Sequence, residues 1–594
     1  MHTAFLVLAP AEGGAIAPWQ LELARSPHPP GLHFTPTRHV VWSAGPGAPT
    51  VGFWQGGIGG PPDAPCERWV VDERGFVAST GHLRWRGQPW LPEARWAASL
   101  AERLRAGTVE SVVADLHGVF TVVELTSDGT GAVASDPLGF GFVFRAETPD
   151  AVALSSRAEL CAHAVTRPPA APERDALGVC RLAYSRHWTG LRTGFTAVRL
   201  CAPGEVTRLR RGGGVVAAGH PRPWQPPDRY RALAPEELLS IVREEIADSV
   251  RAALGLPGPG ARCDLTGGKD TRLVAAVILG EGLADAFTFQ TFGPPTLPDV
   301  QVATELAARF GLRHEIRFER RSAGAPYARE AHRFVAATAG MVNLWNLKGS
   351  DAPWPEVRVT GLSGYLLRSK GRVGPGARTE ADLVRAFDAM GFGRARLLVP
   401  DVHEALRAEA LDDLLGDPGG GSLMDRFDAF DLRASQRHLL GPLDELERDL
   451  RVKPLTSAAA VHAAWALGAE ARFAERIHVE LIRRYSDDAR GVPVRRGQVA
   501  AHATRPRRAR TRHGRRCAAA PAAKDQLVST LQGSAFAERS ALLRELFEDR
   551  ANPVWDLVDR RRALELLDRF GELHPWQRAE LFGAATAAMW MGGP

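Results

Sequence analysis

The chain has few cysteines, six in 594 residues, and no two of them form a Cys-x-x-Cys pair. They are scattered along the sequence at Cys66, Cys161, Cys180, Cys201, Cys263 and Cys517. A disulfide framework or a common zinc site would need a regular or paired spacing, so this pattern argues against both. We therefore expect a reducing, cytoplasmic location.

Long apolar runs are absent as well. No run approaches the roughly 18 apolar residues typical of a membrane helix. The N-terminal sequence MHTAFLVLAP lacks the basic region with which a secretory signal begins. The hydrophobic share of 45% and charged share of 24% are ordinary for a globular protein. We therefore expect a soluble protein without a membrane partner.

The net charge of +6 is small for this length, and much of it comes from residues 505–516, RPRRARTRHGRR. This stretch could be a nucleic-acid-binding patch or a solvated linker. Its flanks are rich in alanine and proline, and no aromatic residue interrupts it, which favours the linker. We expect a flexible basic segment over residues 495–523 and no nucleic-acid partner.

Two parts of the chain differ in their periodicity. In the first 220 residues, short alternating runs are punctuated by glycine and proline, which predicts antiparallel sheets. A helix is predicted over 93–105, with Trp96, Leu100 and Leu104 on one face. The proline-rich segment 221–227 then marks a boundary. We predict an α+β domain over residues 1–220 and a second domain over residues 228–594.

The second domain begins with an amphipathic helix and continues with short apolar runs that alternate with helical segments. Strands separated by single helices predict a parallel, doubly wound sheet. Beyond residue 377 the chain has mostly helical spacing. The predicted architecture is therefore an α/β sheet followed by a helical C-terminal part.

One loop of this sheet has the composition of an anion-binding site: Leu265, Thr266, Gly267, Gly268, Lys269, Asp270 and Thr271. It follows a short buried strand and opens a helix, so its glycine N–H groups, its hydroxyls and the helix dipole can bind phosphate. Asp270 would repel a bare phosphate. It fits such a site only if a divalent cation bridges the carboxylate and the phosphates.

The same loop has two other interpretations, a Walker A loop and a glycine turn. A Walker A loop needs Ser or Thr after its Gly-Lys pair, whereas Asp270 follows Lys269 here. That interpretation fails. A glycine turn between strand and helix, without any ligand, stays open as the alternative.

The sequence LTGGKDT resembles the SGGxDS loop of the asparagine synthetase superfamily, which includes the β-lactam synthetases and lasso-peptide macrolactam cyclases. The resemblance continues in residues 288–293, 298–303, 311–314 and 360–364. In the first domain, residues 116–120, 136–139, 154–157 and 202–204 are similar to marks of the amidotransferase domain. The resemblance implies an Ntn-hydrolase-like sandwich followed by an adenine-nucleotide α-hydrolase-like (PP-loop) synthetase domain.

The resemblance also implies roles for individual residues. Thr266, Gly267, Gly268 and Thr271 would hold pyrophosphate, within a loop that also contains Leu265 and Lys269. Asp270 would bind Mg²⁺, and Thr291 and Gly361 would line the adenosine site of ATP.

The family pattern is broken at three places. His2 occupies the position at which the glutaminases carry their nucleophilic cysteine. Leu362 and Tyr365 stand where the third loop usually has carboxylates, so the catalytic residue is unassigned and Tyr365 is the only candidate. No lysine lies in the helical segment 473–484, where His478 and Arg483 are the nearest cations. Arg368 and Lys370 make the third loop basic, which suits phosphate binding or a solvated turn.

The resemblance, with the intact loop of residues 265–271, implies an ATP-dependent, AMP- and pyrophosphate-forming amide-bond ligase of the asparagine-synthetase type, and the missing cysteine implies that it lacks glutaminase activity. The missing cysteine favours a tailoring or peptide-cyclising enzyme over a true asparagine synthetase. Its substrate would be a small molecule or peptide that carries a carboxylate and an amine, with a peptide-processing protein as a possible partner. The alternative is a nucleotide-binding pseudoenzyme or scaffold that has lost catalysis.

Because an imidazole does not replace a thiolate in acyl transfer from an amide, we expect the purified protein not to hydrolyse glutamine. Glutamate release should equal that of a protein-free control. Labelling by glutamine-analogue electrophiles should also be absent. Steady glutamate release above the control would contradict the assignment of His2 as an inactive replacement.

Overall fold

The computed structural model describes residues 2–56, 68–88, 93–185, 188–219, 222, 224–256, 260–317, 327–347, 357–392, 397–416, 421–438, 450–485 and 533–592. The predicted flexible segment 495–523 lies outside the described residues. So do Cys66, Cys517 and two prolines of the predicted boundary, Pro221 and Pro223.

The strands of the first part of the chain form two antiparallel sheets. In chain order they are β1 (His2–Pro10), β2 (Arg38–Ser43), β3 (Thr50–Gly56), β4 (Trp69–Asp72), β5 (Gly75–Trp85), β6 (Leu116–Thr126), β7 (Gly131–Ser135), β8 (Phe144–Glu147), β9 (Ala151–Ser155), β10 (Val198–Leu200), β11 (Glu205–Leu209) and β12 (Val215–Gly219). The spatial order is β10-β8-β9-β1-β3-β2 in the first sheet and β12-β11-β7-β6-β5-β4 in the second.

The first helices of the chain pack on these two sheets, and the later helices make up most of the C-terminal part. In the described residues they are α1 (Pro18–Arg25), α2 (Glu93–Ala106), α3 (Val109–Ala114), α4 (Ala158–Val165), α5 (Ala176–Ser185), α6 (Asp228–Arg231), α7 (Pro235–Ala253), α8 (Lys269–Gly280), α9 (Pro298–Phe310), α10 (Tyr327–Ala337), α11 (Glu380–Phe387), α12 (Pro400–Leu415), α13 (Leu423–Asp431), α14 (Ala458–Ala466), α15 (Ala469–Phe473), α16 (Arg476–Tyr485), α17 (Gly533–Glu548), α18 (Arg560–Asp568) and α19 (Pro575–Gly592).

The two antiparallel sheets pack face to face. The alternation of β1 sends Phe5 and Val7 into a core shared with Phe76 and Val123 of the second sheet. The opposite face of β1, with Leu6, packs with α4 and α5, and the outer face of the second sheet packs with α2 and α3. The result is a four-layer α-β-β-α sandwich, so the predicted α+β sandwich is confirmed.

A third sheet has five parallel strands: β13 (Ala261–Asp264), β14 (Phe287–Phe292), β15 (His314–Arg317), β16 (Val357–Val359) and β17 (Leu450–Val452). Their spatial order is β15-β14-β13-β16-β17. From β13 the chain therefore adds β14 and β15 on one side, and it then adds β16 and β17 on the other side of β13. The identity of this sheet as a PP-loop synthetase domain, and the 1–220 and 228–594 division, stay predictions.

The C-terminal helix α19 packs on α5 of the sandwich, so one core spans the predicted domain boundary. Gly583 makes this approach possible, because a Cβ there would lie 2.3 Å from the Leu182 carbonyl oxygen. Trp590 of the same helix donates from Nε1 to the Gly194 carbonyl at 3.0 Å. In the part of the chain that is described, no helix combines the length and apolarity needed to cross a bilayer.

The contact at Gly583 predicts that Gly583→Ala destabilises the protein. The added methyl group would press on backbone, which yields less easily than a side chain, so overpacking should lower the free energy of unfolding by about 1–3 kcal/mol. Gly571→Ala is the matched control, because a Cβ there would meet nothing within 4 Å. Chemical denaturation of both variants measures the effect, and equal stability of the two would contradict the packing.

Candidate functional site

The candidate site lies between β13 and β16, where the order of the parallel sheet reverses. The loop of Leu265, Thr266, Gly267 and Gly268 follows β13, and the loop from Thr360 to Gly364 follows β16. Both lie at the carboxyl ends of their strands. In open parallel sheets, ligands bind in the crevice at such a reversal point. The topology therefore makes this crevice the candidate binding site.

The β13 loop is held in shape by its own two threonines. Thr266 Oγ1 accepts a hydrogen bond from the Gly268 N–H at 3.0 Å, and Thr271 Oγ1 accepts one from the Thr266 N–H at 3.1 Å. The two hydroxyl oxygens lie 2.9 Å apart. The hydroxyls expected to bind phosphate thus also bond within the loop. Gly268 forms the N-cap of α8, which directs the first N–H groups of that helix into the crevice.

Glycine allows the β16 loop to lie directly on the first turn of α8. A Cβ at Gly361 would lie 2.5 Å from the Thr271 nitrogen, and a Cβ at Gly364 would lie 2.3 Å from Asp270 Oδ1. A side chain at Gly361 would press on the backbone of α8, and one at Gly364 would displace the Asp270 carboxylate. The structure thus brings Gly361 against the β13 loop, and the two predicted segments form one site.

Asp270 is bound by two side chains from distant parts of the chain. Arg368 approaches it with two nitrogens, Nε–Oδ1 and Nη2–Oδ2, both at 3.1 Å. His478 Nε2 lies 2.9 Å from Oδ1. Burial alone would raise the pKa of Asp270, but the hydrogen bonds and charges of His478 and Arg368 hold it well below its ordinary value. Asp270 is therefore ionised, and each of its two oxygens is paired with a nitrogen atom.

A second carboxylate, Glu475, completes the network. It forms an ion pair with Lys269, and its Oε1 lies 3.7 Å from Arg368 Nη1. Glu475 immediately precedes α16, so this helix is tied to the start of α8. Sequence reasoning missed Glu475. The sequence signal for Glu475 is its position three residues before His478, because side chains at that spacing lie on the same face of a helix.

The residues do not fit the expected magnesium site. Magnesium needs carboxylate oxygens that are free to coordinate it, whereas both oxygens of Asp270 face nitrogen atoms. Glu475 is likewise held by Lys269 and Arg368. Among the described residues, no group of three or more His, Cys, Asp or Glu side chains is arranged to hold a metal ion. Cationic side chains occupy the space around Asp270.

The surroundings of Tyr365 do not favour a general base. Burial raises the pKa of its hydroxyl well above the ordinary value of 10, so the phenolate that a base requires does not form at neutral pH. Lys370 Nζ lies 5.1 Å from the centroid of its ring. Leu362 is 40% exposed at the tip of the same loop. The raised pKa argues against Tyr365 as the catalytic residue, and its role stays a prediction.

Thr291 supports the β13 loop from β14. Its hydroxyl donates to the Leu265 carbonyl at 2.5 Å and lies 2.8 Å from His314 Nε2. The side chain is 1% exposed. Thr291 thus fixes the start of the loop, and its predicted contact with adenosine stays a prediction.

Comparison with known proteins identifies no family. No family model matches the chain, and no curated protein is similar to it in sequence. Glutamine phosphoribosylpyrophosphate amidotransferase from B. subtilis, complexed with ADP and GMP, is 10% identical with a TM-score of 0.22, over 65% of this chain and 79% of that chain. The allosteric regulatory enzyme of purine biosynthesis is 11% identical with a TM-score of 0.24, over 66% and 88%. Such low similarity says nothing about activity.

The Asp270 ion pairs predict a pH-dependent contribution to stability. The pKa of Asp270 is lower in the folded chain than in the unfolded chain, so its contribution is complete above about pH 4 and is lost as pH falls through the folded value. Asp270→Asn should lower the free energy of unfolding by about 2 kcal/mol at pH 7. The difference from the parent should shrink below pH 4. Denaturation midpoints at pH 7, 5, 4 and 3 measure it.

Asp412→Asn provides the control, because Asp412 is an exposed aspartate on α12. This substitution should change the free energy of unfolding by no more than about 0.5 kcal/mol. A loss of stability in Asp270→Asn that is the same at every pH would contradict the ion-pair explanation.

Proposed function

We propose that this chain is a nucleotide-binding member of the asparagine-synthetase superfamily that has lost ligase activity and does not hydrolyse glutamine. The phosphates of ATP would bind in the crevice between β13 and β16. The observation that carries this proposal is the pairing of Asp270 with Arg368 and His478, in place of a position open to magnesium.

The crevice has the groups that a phosphate requires. The N-terminal N–H groups of α8 face it, and a helix N-terminus favours an anion. Lys269 and Arg368 supply two permanent cations next to that terminus. In the free protein these cations neutralise Asp270 and Glu475. A phosphate would have to compete with these two carboxylates for the cations. Because the two side chains would supply the positive charge that a metal ion otherwise provides, we propose binding that does not require a metal.

The pairing of Asp270 and Glu475 also supports the proposed loss of ligase activity. Formation of an acyl-adenylate needs stabilisation of charge at the α-phosphate and, in metal-assisted enzymes, a cation held by carboxylates. Asp270 and Glu475 are engaged by nitrogen donors. Leu362 and Tyr365 provide no further carboxylate in the β16 loop.

The retention of Asp270 favours a second candidate function. A carboxylate beside a phosphate site only weakens binding unless a cation bridges the two, so its presence suits an active ATP-dependent, AMP- and pyrophosphate-forming amide-bond ligase. In that function Arg368 would move away when Mg²⁺ and ATP bind. The substrates would be a carboxylate and an amine on a small molecule or peptide, with a peptide-processing protein as partner.

Calorimetric titration with ATP separates the two functions, using the parent and Asp270→Asn, each with and without magnesium. For the nucleotide-binding protein, magnesium should change the parent affinity less than about twofold. Asp270→Asn should bind metal-free ATP more tightly, since Arg368 is released to the phosphates. A second variant, Arg368→Met, should bind ATP more weakly.

The ligase gives the opposite pattern. Magnesium would tighten ATP binding by roughly tenfold or more, Asp270→Asn would abolish that gain, and the parent would exchange pyrophosphate into ATP. That result would overturn the proposal in favour of the second candidate. Absence of ATP binding in all variants and conditions would contradict both functions.

A further inference from the structure

The arginine that faces Asp270 belongs to a short segment, Arg368–Lys370, which we call the arginine segment. Its backbone is extended at Arg368, with φ −146° and ψ 161°. A segment of this kind is fixed only by its contacts, since ordering each residue costs conformational entropy. Arg368 therefore stays at the crevice only if the residues beside it are held by other elements.

Helix α13 holds the arginine segment through two carboxylates. Ser369 Oγ donates to Asp428 Oδ1 at 2.8 Å, and Lys370 Nζ lies 2.8 Å from Asp431 Oδ2. Asp428 and Asp431 are three residues apart, so they lie on one face of the helix and can bind consecutive residues of the segment. Ser369 is 5% exposed. Its bond to Asp428 is thus shielded from water, and a buried polar group is costly to leave without a partner.

A second support comes from α15. The Ser369 N–H donates to the Arg472 carbonyl at 3.1 Å. The Arg472 side chain is buried and turns back to α13, where its Nη2 donates to Asp425 Oδ1 at 2.6 Å and to Asp428 Oδ2 at 3.3 Å. Its Cζ lies 3.9 Å from the centroid of the Trp465 ring. Asp428 therefore binds Ser369 and Arg472 at once, and Arg472 also binds Ser369.

Asp428 and Arg368 border the same small cavity. Its volume of about 10 Å³ has room for roughly one water molecule. Because protein interiors are closely packed, a displacement of one side chain at such a cavity is passed to its neighbours. Asp428 is thus coupled to Arg368 through this packing as well as through Ser369.

We propose that Asp428 is a positioning residue for the nucleotide crevice: through Ser369 it keeps Arg368 where the phosphates of ATP would bind. This inference rests on the nucleotide binding proposed above. Without the bond between Asp428 and Ser369, the arginine segment would spend part of its time away from α8. A ligand that needs Arg368 would then bind more weakly, in proportion to the fraction of molecules in which the segment is in place.

The charge on Asp428 is set by groups from several elements. Burial, with the nearby charge of Asp431, raises the pKa of Asp428 to about 6, although the charge and hydrogen bonds of Arg472 and Ser369 oppose that rise. Further charged or titratable groups lie across the small cavity or one turn earlier on α13: Tyr365, Arg368, Lys370 and Asp425. Asp428 is therefore ionised at pH 7.5 and mostly protonated at pH 5, where it would bind Arg472 and Ser369 less firmly.

The first test is calorimetric titration of the full chain with metal-free ATP at pH 7.5. Ser369→Ala and Asp428→Asn should each weaken ATP binding roughly threefold to tenfold, the range expected for the loss of one buried or charge-assisted hydrogen bond. Asp425→Asn is the matched control, because Asp425 also binds Arg472 but lies one turn earlier on α13. It should change the affinity by less than about twofold.

A second comparison shows whether the effect passes through Arg368. In an Arg368→Met background, Ser369→Ala should weaken ATP binding by less than about a further twofold, since the side chain that it positions is gone. An effect as large as in the parent background would overturn the inference. Unchanged affinity in both Ser369→Ala and Asp428→Asn would also overturn it.

The pH profile provides a readout that a general loss of stability would not change. The affinities of the parent and of Asp428→Asn for ATP should differ at pH 7.5 and converge at pH 5, where the parent carboxyl is also uncharged. Protonation of ATP and of the other side chains affects both proteins alike. A difference of the same size at both pH values would contradict a role for the charge on Asp428.

Failure of the nucleotide-binding function is recognised separately. If ATP binding cannot be measured in the parent or in Arg368→Met, thermal unfolding of Ser369→Ala, Asp270→Asn and the double variant tests the positioning alone. Because both substitutions act on Arg368, the melting temperature of the double variant should fall by less than the sum of the two single shifts. Additive shifts would overturn the inference. Coupled shifts in a parent that does not bind ATP would support the positioning of Arg368 and reject only the nucleotide.

Discussion

The bidentate ion pair between Arg368 and Asp270 joins the start of α8 to the segment that follows the β16 loop. This pair, together with His478 from α16, brings three distant segments to one point at the edge of the parallel sheet. Gly361 and Gly364 approach α8 closely beside the same junction. If the carboxylate were turned toward a metal ion, Arg368 and His478 would lose Asp270, and Arg368 would keep only Glu475, 3.7 Å away. The conformation of the crevice and the charge on Asp270 are therefore coupled.

Much of the fold could be predicted because its determinants are local. The short alternating runs of the first 220 residues and the apolar face of 93–105 are visible in a few residues, and Trp96, Leu100 and Leu104 are buried as their spacing indicates. The Asp136-Pro137-Leu138-Gly139 segment is also local, since the Asp136 carboxylate accepts N–H groups from Leu138, Phe140 and Gly141. That motif forms a turn of the sandwich. Its presence indicates the fold and carries no information on catalysis.

The candidate site could be predicted only in part, because its chemistry depends on pairs that are far apart in sequence. The seven-residue loop indicated a phosphate site by itself, and the reversal point of the sheet agrees with it. Arg368 lies 98 residues beyond Asp270, and no local pattern announces that they pair. The predicted magnesium role of Asp270 requires a carboxylate that is open to the metal ion. The partners that neutralise it reverse the electrostatic argument, since a carboxylate that already holds an arginine has little to offer a metal ion.

Asp270 and His2 both differ in their surroundings from what the resemblance implies. The Asp270 carboxylate is paired with Arg368 and His478, and burial lowers the pKa of His2 to about 4, so this position carries neither a thiolate nor a charge at pH 7. The cations of the crevice are paired as well, Lys269 with Glu475 and Arg368 with Asp270. Because each cation already offsets a carboxylate in the free protein, its presence alone does not call for an anion. A phosphate in the crevice would have to replace these pairs, and the free energy of its binding would include the cost of breaking them.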